Sequence, residues 1–194
     1  RSCIYRDPRG VYNSQQHSRQ SATRHPFTEN PVRFSRKWVR LMHISESWES
    51  DLRFLAVSYE DLVRDTDKVM GDLCDFLGAG RKLSEDRNYF ARIPDAQKHL
   101  HELVRESPRR DRIRAWQNSL SDTEIWIIER YTKEYLRSRG YESLDIRLSL
   151  SAYREYLSLL VSYYLSLVRG LFQSLKNPYL FRTKVKARLS SWRA

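Results

Sequence analysis

Arg6 and Ser14 are the residues whose types and spacing point most directly to chemistry in this chain. They lie in Cys3-Ile4-Tyr5-Arg6-Asp7-Pro8-Arg9-Gly10-Val11-Tyr12-Asn13-Ser14, where a short apolar piece runs into a predicted helix. Asp7 is a good N-cap, and Pro8 suits the first helical position because its missing N–H would go unpaired there anyway. An Arg at a strand end beside a helix N-terminus aims a guanidinium and backbone N–H groups at one place, which makes an anion site. Ser14, six residues past Pro8, adds a hydroxyl from the second turn. Taken alone, the segment reads equally well as a strand–helix turn with a solvated Arg.

Two further blocks change that balance. Arg53-Phe54-Leu55-Ala56-Val57-Ser58-Tyr59-Glu60-Asp61-Leu62-Val63 leads, after a short gap, to Leu73-Cys74-Asp75-Phe76-Leu77-Gly78. Arg114-Ala115-Trp116-Gln117-Asn118-Ser119-Leu120-Ser121 precedes a helix that stops at Gly140-Tyr141. In this order the three blocks resemble the sulfotransferase family that uses 3′-phosphoadenosine 5′-phosphosulfate (PAPS), over roughly residues 1–142. The resemblance implies that Arg6 and Ser14 clamp the nucleotide's 3′-phosphate. It places the Tyr59 ring near the adenine, with a purely structural aromatic at a strand end as the alternative. Arg112, Arg114 and Trp116 match the region where the family's C-terminal loop folds over the nucleotide, and Arg114 and Trp116 are carried over as cofactor-binding residues. The Gly-rich form of that loop is absent, which favours the carbohydrate-type or bacterial branch over the small-phenol branch.

The implied reaction moves a sulfuryl group from PAPS to a hydroxyl or amine acceptor, a carbohydrate or related natural product, without a metal. The family's 5′-phosphosulfate loop has no counterpart in these residues, so the chain is expected to be inactive alone. No catalytic base is assigned. His17, His25 and His43 qualify only by proximity and read as surface or packing histidines. The alternatives are a nucleotide-dependent phosphoryl transferase, whose Walker-type Gly-x-x-x-x-Gly-Lys segment is absent here, and a non-enzymatic module that binds a membrane or partner. Compartment stays open between cytoplasm, with peripheral membrane attachment, and Golgi lumen behind an upstream anchor.

Residues 2–6 and 53–58 read as short buried strands, and 8–20 as a helix. A helix from Val32 to about Ser50 would bury Phe34, Trp38, Leu41, Met42, Ser45 and Trp48 at spacings of three and four. Another begins at Thr66 behind Asp65, buries Val69, Leu73, Phe76 and Leu77, and ends at Gly78 in a left-handed cap. Residues 20–31 and 81–108 are polar, the latter with His99 and His101, and read as loop and short helix. Ser121-Asp122-Thr123-Glu124 is a capping box opening a helix with Ile125, Ile128, Tyr131 and Tyr135 inward. The expected class is α/β: a partial P-loop-like parallel sheet flanked by helices, with a long C-terminal amphipathic helix.

The 194 residues carry a net charge of +11, unevenly spread. Residues 145–194 hold nine basic and two acidic side chains, leaving the first 144 only mildly basic. That balance suits one polyanionic nucleotide, and no nucleic-acid partner is expected. The division expected is 1–144, the 3′-phosphate-binding part of a transferase domain, and 145–194, a basic amphipathic tail. In the tail Leu150, Tyr153, Leu157, Leu160, Tyr164, Leu167 and Leu171 form a heptad-like stripe. Tyr156 to Val168 is uncharged, but thirteen residues rise only about 20 Å, short of a ~30 Å hydrocarbon core. Lys176, Arg182, Lys184, Lys186, Arg188 and Arg193 follow, with Tyr179, Phe181 and Trp192 between them. Such a tail suits an anionic membrane surface, a partner helix, or packing on the parent domain. Cys3 and Cys74 fit no metal spacing, and Cys74 reads as a small core residue. The chain starts with Arg and its first strand is very short, so it is expected to be the C-terminal part of a longer protein.

Overall fold

In the computed structural model, which describes residues 2–20, 30–79 and 109–176, strand β1 (Ser2–Tyr5) turns at Arg6-Asp7 into helix α1 (Pro8–Gln20). Asp7 caps that helix: its Oδ1 accepts the Arg9 N–H at 2.9 Å and its carbonyl takes the Val11 N–H. Helix α2 (Pro31–Glu46) starts the same way, with Asn30 accepting the Val32 N–H and Pro31 in the first turn. Strand β2 (Leu55–Ser58) then lies parallel to β1, in register from Ser2 with Leu55 to Tyr5 with Ser58. Parallel strands need a long crossover, and α1 and α2 fall within it. Among the described residues the chain is thus mostly helical with a two-stranded parallel sheet, an α/β arrangement with a long helix toward the C-terminus.

Several details depart from the sequence reading. Ile4 of β1 and Leu77, both expected inside, are 61% and 63% exposed. The second helix ends at Glu46, and Leu41 and Trp48, expected inside, are 51% and 43% exposed. Its buried row runs instead through Phe34 and Trp38, with Val39 and Met42 beside it, because a neighbouring helix covers this side of α2. Strand β2 starts at Leu55 rather than Arg53, since Phe54 N–H is taken by the Asp51 carbonyl in a turn. Finally, Tyr59-Glu60-Asp61-Leu62 is no strand end but the start of a short helix, α3 (Tyr59–Arg64). Ser58 caps it by accepting the Asp61 N–H at 3.2 Å, and Glu60 and Asp61 suit the positive end of its dipole.

Helix α4 (Thr66–Leu77) has the anticipated ends, Asp65 accepting from Lys68 N–H and Gly78 at φ 62°. Two single turns of 3-10 helix, Arg110–Arg112 and Ala115–Asn118, lead into helix α5 (Asp122–Ser138). The capping box closes both ways, Ser121 Oγ accepting from Glu124 N–H and Glu124 accepting from Ser121 N–H. The neighbour that covers α2 is α5. Between them Trp38 meets Tyr135 edge-on, ring centroids 4.4 Å apart, while Tyr12 of α1 packs on Phe34. Ile128, fully buried, completes the cluster.

The chain divides into two compact units, Arg1–Leu148 and Ser149–Ala194. In the second, helix α6 (Leu150–Lys176) runs for 27 residues. The heptad-like stripe lies largely in the open, with Leu150 88% and Leu171 57% exposed, whereas Ala152, Tyr156, Leu159 and Tyr163 form the half-buried row. Among the described residues no helix is long and apolar enough to cross a membrane. The loops expected around residues 21–29 and 81–108, including His25, His99 and His101, lie outside the described residues, as do Tyr179, Phe181, Arg182, Lys184, Lys186, Arg188, Trp192 and Arg193.

Replacing Ile128 by Ala removes three carbons from a site with no solvent access. The expected loss is about 3 kcal/mol, read from urea unfolding as a lower midpoint at unchanged slope.

Candidate anion-binding site

Arg6 follows the last residue of β1, so its side chain emerges where the strand meets the first turn of α1. Its Nη1 donates to Ser14 Oγ at 3.1 Å, and its Nη2 donates to the Arg112 carbonyl at 3.1 Å. The guanidinium carbon stands 4.2 Å from the centre of the Tyr59 ring. A Cβ on Gly10 would come within 3.0 Å of Arg6 Nε, so the glycine leaves room for the guanidinium against the helix. Nε is itself buried and without a hydrogen-bond partner. Ser14 is exposed, and because its oxygen accepts from Arg6 its O–H can donate to a ligand. β1, α1, α3 and the 3-10 turn at Arg112 thus converge on one cationic edge bordered by a hydroxyl.

The second Arg of the motif is buried, 2% exposed, and faces the other way. Arg9 grips both Asp7 oxygens, Nε at 3.0 Å and Nη2 at 2.7 Å. Its Nη1 donates to the Glu129 carboxylate and to the Glu142 carbonyl. Trp116 lies under the guanidinium, 4.0 Å from ring centre to Cζ. Burial works against the charged form, but Asp7 and Glu129 more than offset it and hold the Arg9 pKa above its ordinary value. Glu129 also accepts the Leu144 N–H at 3.1 Å, fastening the chain after α5 to the same centre.

Glu60 makes the complementary junction. Its carboxylate accepts the Asp7 N–H at 3.0 Å and the Tyr141 O–H at 2.9 Å. Burial, then the nearby Glu60 charge and hydrogen bond, push the Tyr141 pKa far above its ordinary value of 10.0. Asp7, Glu60 and Tyr141 therefore tie the three sequence blocks together in space.

Of the residues singled out in the sequence, Arg6, Ser14 and Tyr59 come together. Arg112 joins them through its carbonyl rather than its side chain. Arg114 and Trp116 instead line a separate cleft of about 220 Å³, along with Arg9, Glu60, Arg64 and Tyr141. There Arg114 is exposed, 3.5 Å from Glu142, and Trp116 is buried against Arg9. His43 lies elsewhere, in a groove of about 600 Å³ between α2 and α5, largely exposed and 3.4 Å from Glu46. The side chain of His17 and all of His25 lie outside the described residues. Among the described residues no group of three His, Cys, Asp or Glu is placed to hold a metal ion. Cys3 and Cys74 are both free thiols.

Arg9, Glu60 and Glu129 went unremarked in the sequence, although a signal existed for one. Glu129 follows Ile125 and Ile128 on the inward face of α5 and precedes buried Thr132, and an acidic residue in a buried stripe demands a buried partner.

Residues 3–82 match the sequence model described as the sulfotransferase family. That span holds Arg6, Ser14 and Tyr59 and stops short of the third block at Arg114–Ser121. It is the family the motifs resemble, and its chemistry is sulfuryl transfer between a sulfonate donor and an acceptor. No curated protein and no solved structure matched the chain.

Two outcomes test this wiring. Arg9→Leu would leave Asp7 and Glu129 buried without their cation, costing about 3–5 kcal/mol in unfolding experiments. Tyr141 stays protonated in the folded state, whereas in the unfolded chain it ionises near its ordinary value of 10.0. The unfolded state then binds fewer protons, so stability is fully present below that pH and declines as pH rises past it. Unfolding midpoints followed from neutral to strongly alkaline pH should show that decline, and Tyr141→Phe should make it shallower, the rest coming from Tyr135, whose pKa burial also raises.

Proposed function

We propose that residues 1–144 form the 3′-phosphate-binding part of a PAPS-dependent sulfotransferase acting on a hydroxyl or amine of a carbohydrate or related natural product. The observation that carries this reading is the 3.1 Å contact between Arg6 and Ser14 at the start of α1, within the family match. A guanidinium and a hydroxyl side by side can share one phosphate, with charge-assisted bonds supplying most of the affinity. Asp7 would repel a phosphate so close by. Its carboxylate is instead buried and held by Arg9, which leaves Arg6 as the cation at this edge. Tyr59 backs the guanidinium and offers its ring at the same edge, in keeping with an adenine neighbour.

In the reaction the S–O bond to the nucleotide's 5′-phosphate breaks as a bond to the acceptor forms, and the acceptor loses its proton. Negative charge grows on the departing phosphate. The residues proposed here hold the far end of the nucleotide, and so contribute position rather than bond-making. Arg114, bordering the cleft over Arg9, is proposed to close over the nucleotide, with Trp116 bracing the wall behind it. No segment resembles the family's 5′-phosphosulfate loop, so the chain by itself is expected to bind the nucleotide and turn nothing over.

The test is calorimetric titration with adenosine 3′,5′-bisphosphate and with adenosine 5′-monophosphate. Arg6→Ala should weaken the bisphosphate by about 2 kcal/mol, some thirtyfold, and leave the monophosphate nearly unchanged. Gly10→Ala, which forces Arg6 aside, should act in the same direction and less strongly. Equal losses for both nucleotides would sink the assignment.

A further inference from the structure

Helix α6 presents a broad exposed apolar face. Val161, Tyr164, Leu165, Val168, Leu171 and Phe172 are between 45% and 62% exposed. Ser151, Glu155, Ser158, Ser162, Ser166 and Arg169 form a narrow polar strip at steps of three or four, with Arg154 at its edge. A coiled-coil seam occupies a much smaller arc and is flanked by charges that set register. Here the flanks are Leu, Val and Tyr, with no charge from Tyr156 to Val168.

The charge beyond the helix selects the occupant. After Arg169 the chain carries six basic residues and not one acidic residue. A second copy of this unit, whose residues 145–194 hold nine basic and two acidic side chains, would bring more positive charge to the same face. An anionic lipid surface meets both features: headgroups take the Lys and Arg, and the acyl boundary takes the apolar face. The helix lies along the surface rather than through it, because no helix among the described residues can cross a membrane.

We propose that α6, with the basic segment that follows it, docks this protein in the plane of an anionic membrane. The inference stands apart from the transferase reading, since it involves neither the nucleotide nor the unit that would bind it.

Flotation of the full chain with phosphatidylcholine vesicles, with and without phosphatidylserine, tests it. The chain should float with the mixed vesicles, remain below with phosphatidylcholine alone, and be released progressively by salt. The triple variant Val161→Glu/Leu165→Glu/Val168→Glu should lose binding by at least about tenfold. Lys184→Gln/Lys186→Gln/Arg188→Gln, which leaves the helix intact, should weaken binding to the mixed vesicles in the same way. Failure of the unaltered chain to float overturns the proposal, as does flotation that both variants retain. A soluble dimer in sedimentation equilibrium that ignores vesicles, and that the first variant dissociates, assigns the face to a second copy instead.

Discussion

Arg9 is the charge around which the first unit is organised. Its guanidinium is closed off from water, and a buried cation is tolerated only where anions and carbonyls replace the lost solvent. Asp7, Glu129 and the Glu142 carbonyl are those replacements, and Trp116 covers the remaining face. Each partner comes from a different stretch of chain: the start of α1, the middle of α5, the segment after it and the 3-10 turn before it. Satisfying one guanidinium therefore fixes four segments relative to one another. Removing it leaves two carboxylates with nowhere to go, which is why the interaction acts as a constraint on the fold whatever its net stabilisation.

The candidate site inherits its geometry from that constraint. Asp7 is at once the cap of α1, the partner of Arg9 and, through its N–H, a donor to Glu60. Glu60 opens α3 beside Tyr59, so the ring under Arg6 and the hydroxyl at Ser14 are carried by elements locked at the same point. Arg6 needs little freedom of its own: Gly10 below, Tyr59 on its face and the Arg112 carbonyl at its edge already define where it lies. An anion site made this way loses little conformational entropy on binding.

The second unit obeys different physics. Among its described residues no buried charge network organises α6. Its character comes from the ratio of apolar to polar circumference and from the charge imbalance that follows it. Such a helix leaves a broad apolar face in contact with water.

Much of this was legible one residue at a time. Asp7, Asp65 and Ser121 as caps, Pro8 in a first turn and Gly78 as a left-handed stop are local effects, and each is where its type predicts. The α/β class followed from strand–helix order, and the pairing of Arg6 with Ser14 from two turns of a helix. Tertiary packing decided what local rules leave degenerate: that α2 buries the row through Phe34 and Trp38 and not Leu41 or Trp48, and that Tyr59-Glu60 turns into a helix. Above all, it decided that of two arginines three positions apart, Arg6 faces outward while Arg9 becomes the buried centre. A residue's own type sets its charge and cap preference, but which charge is hidden depends on partners more than a hundred positions away, and no local pattern encodes that distance.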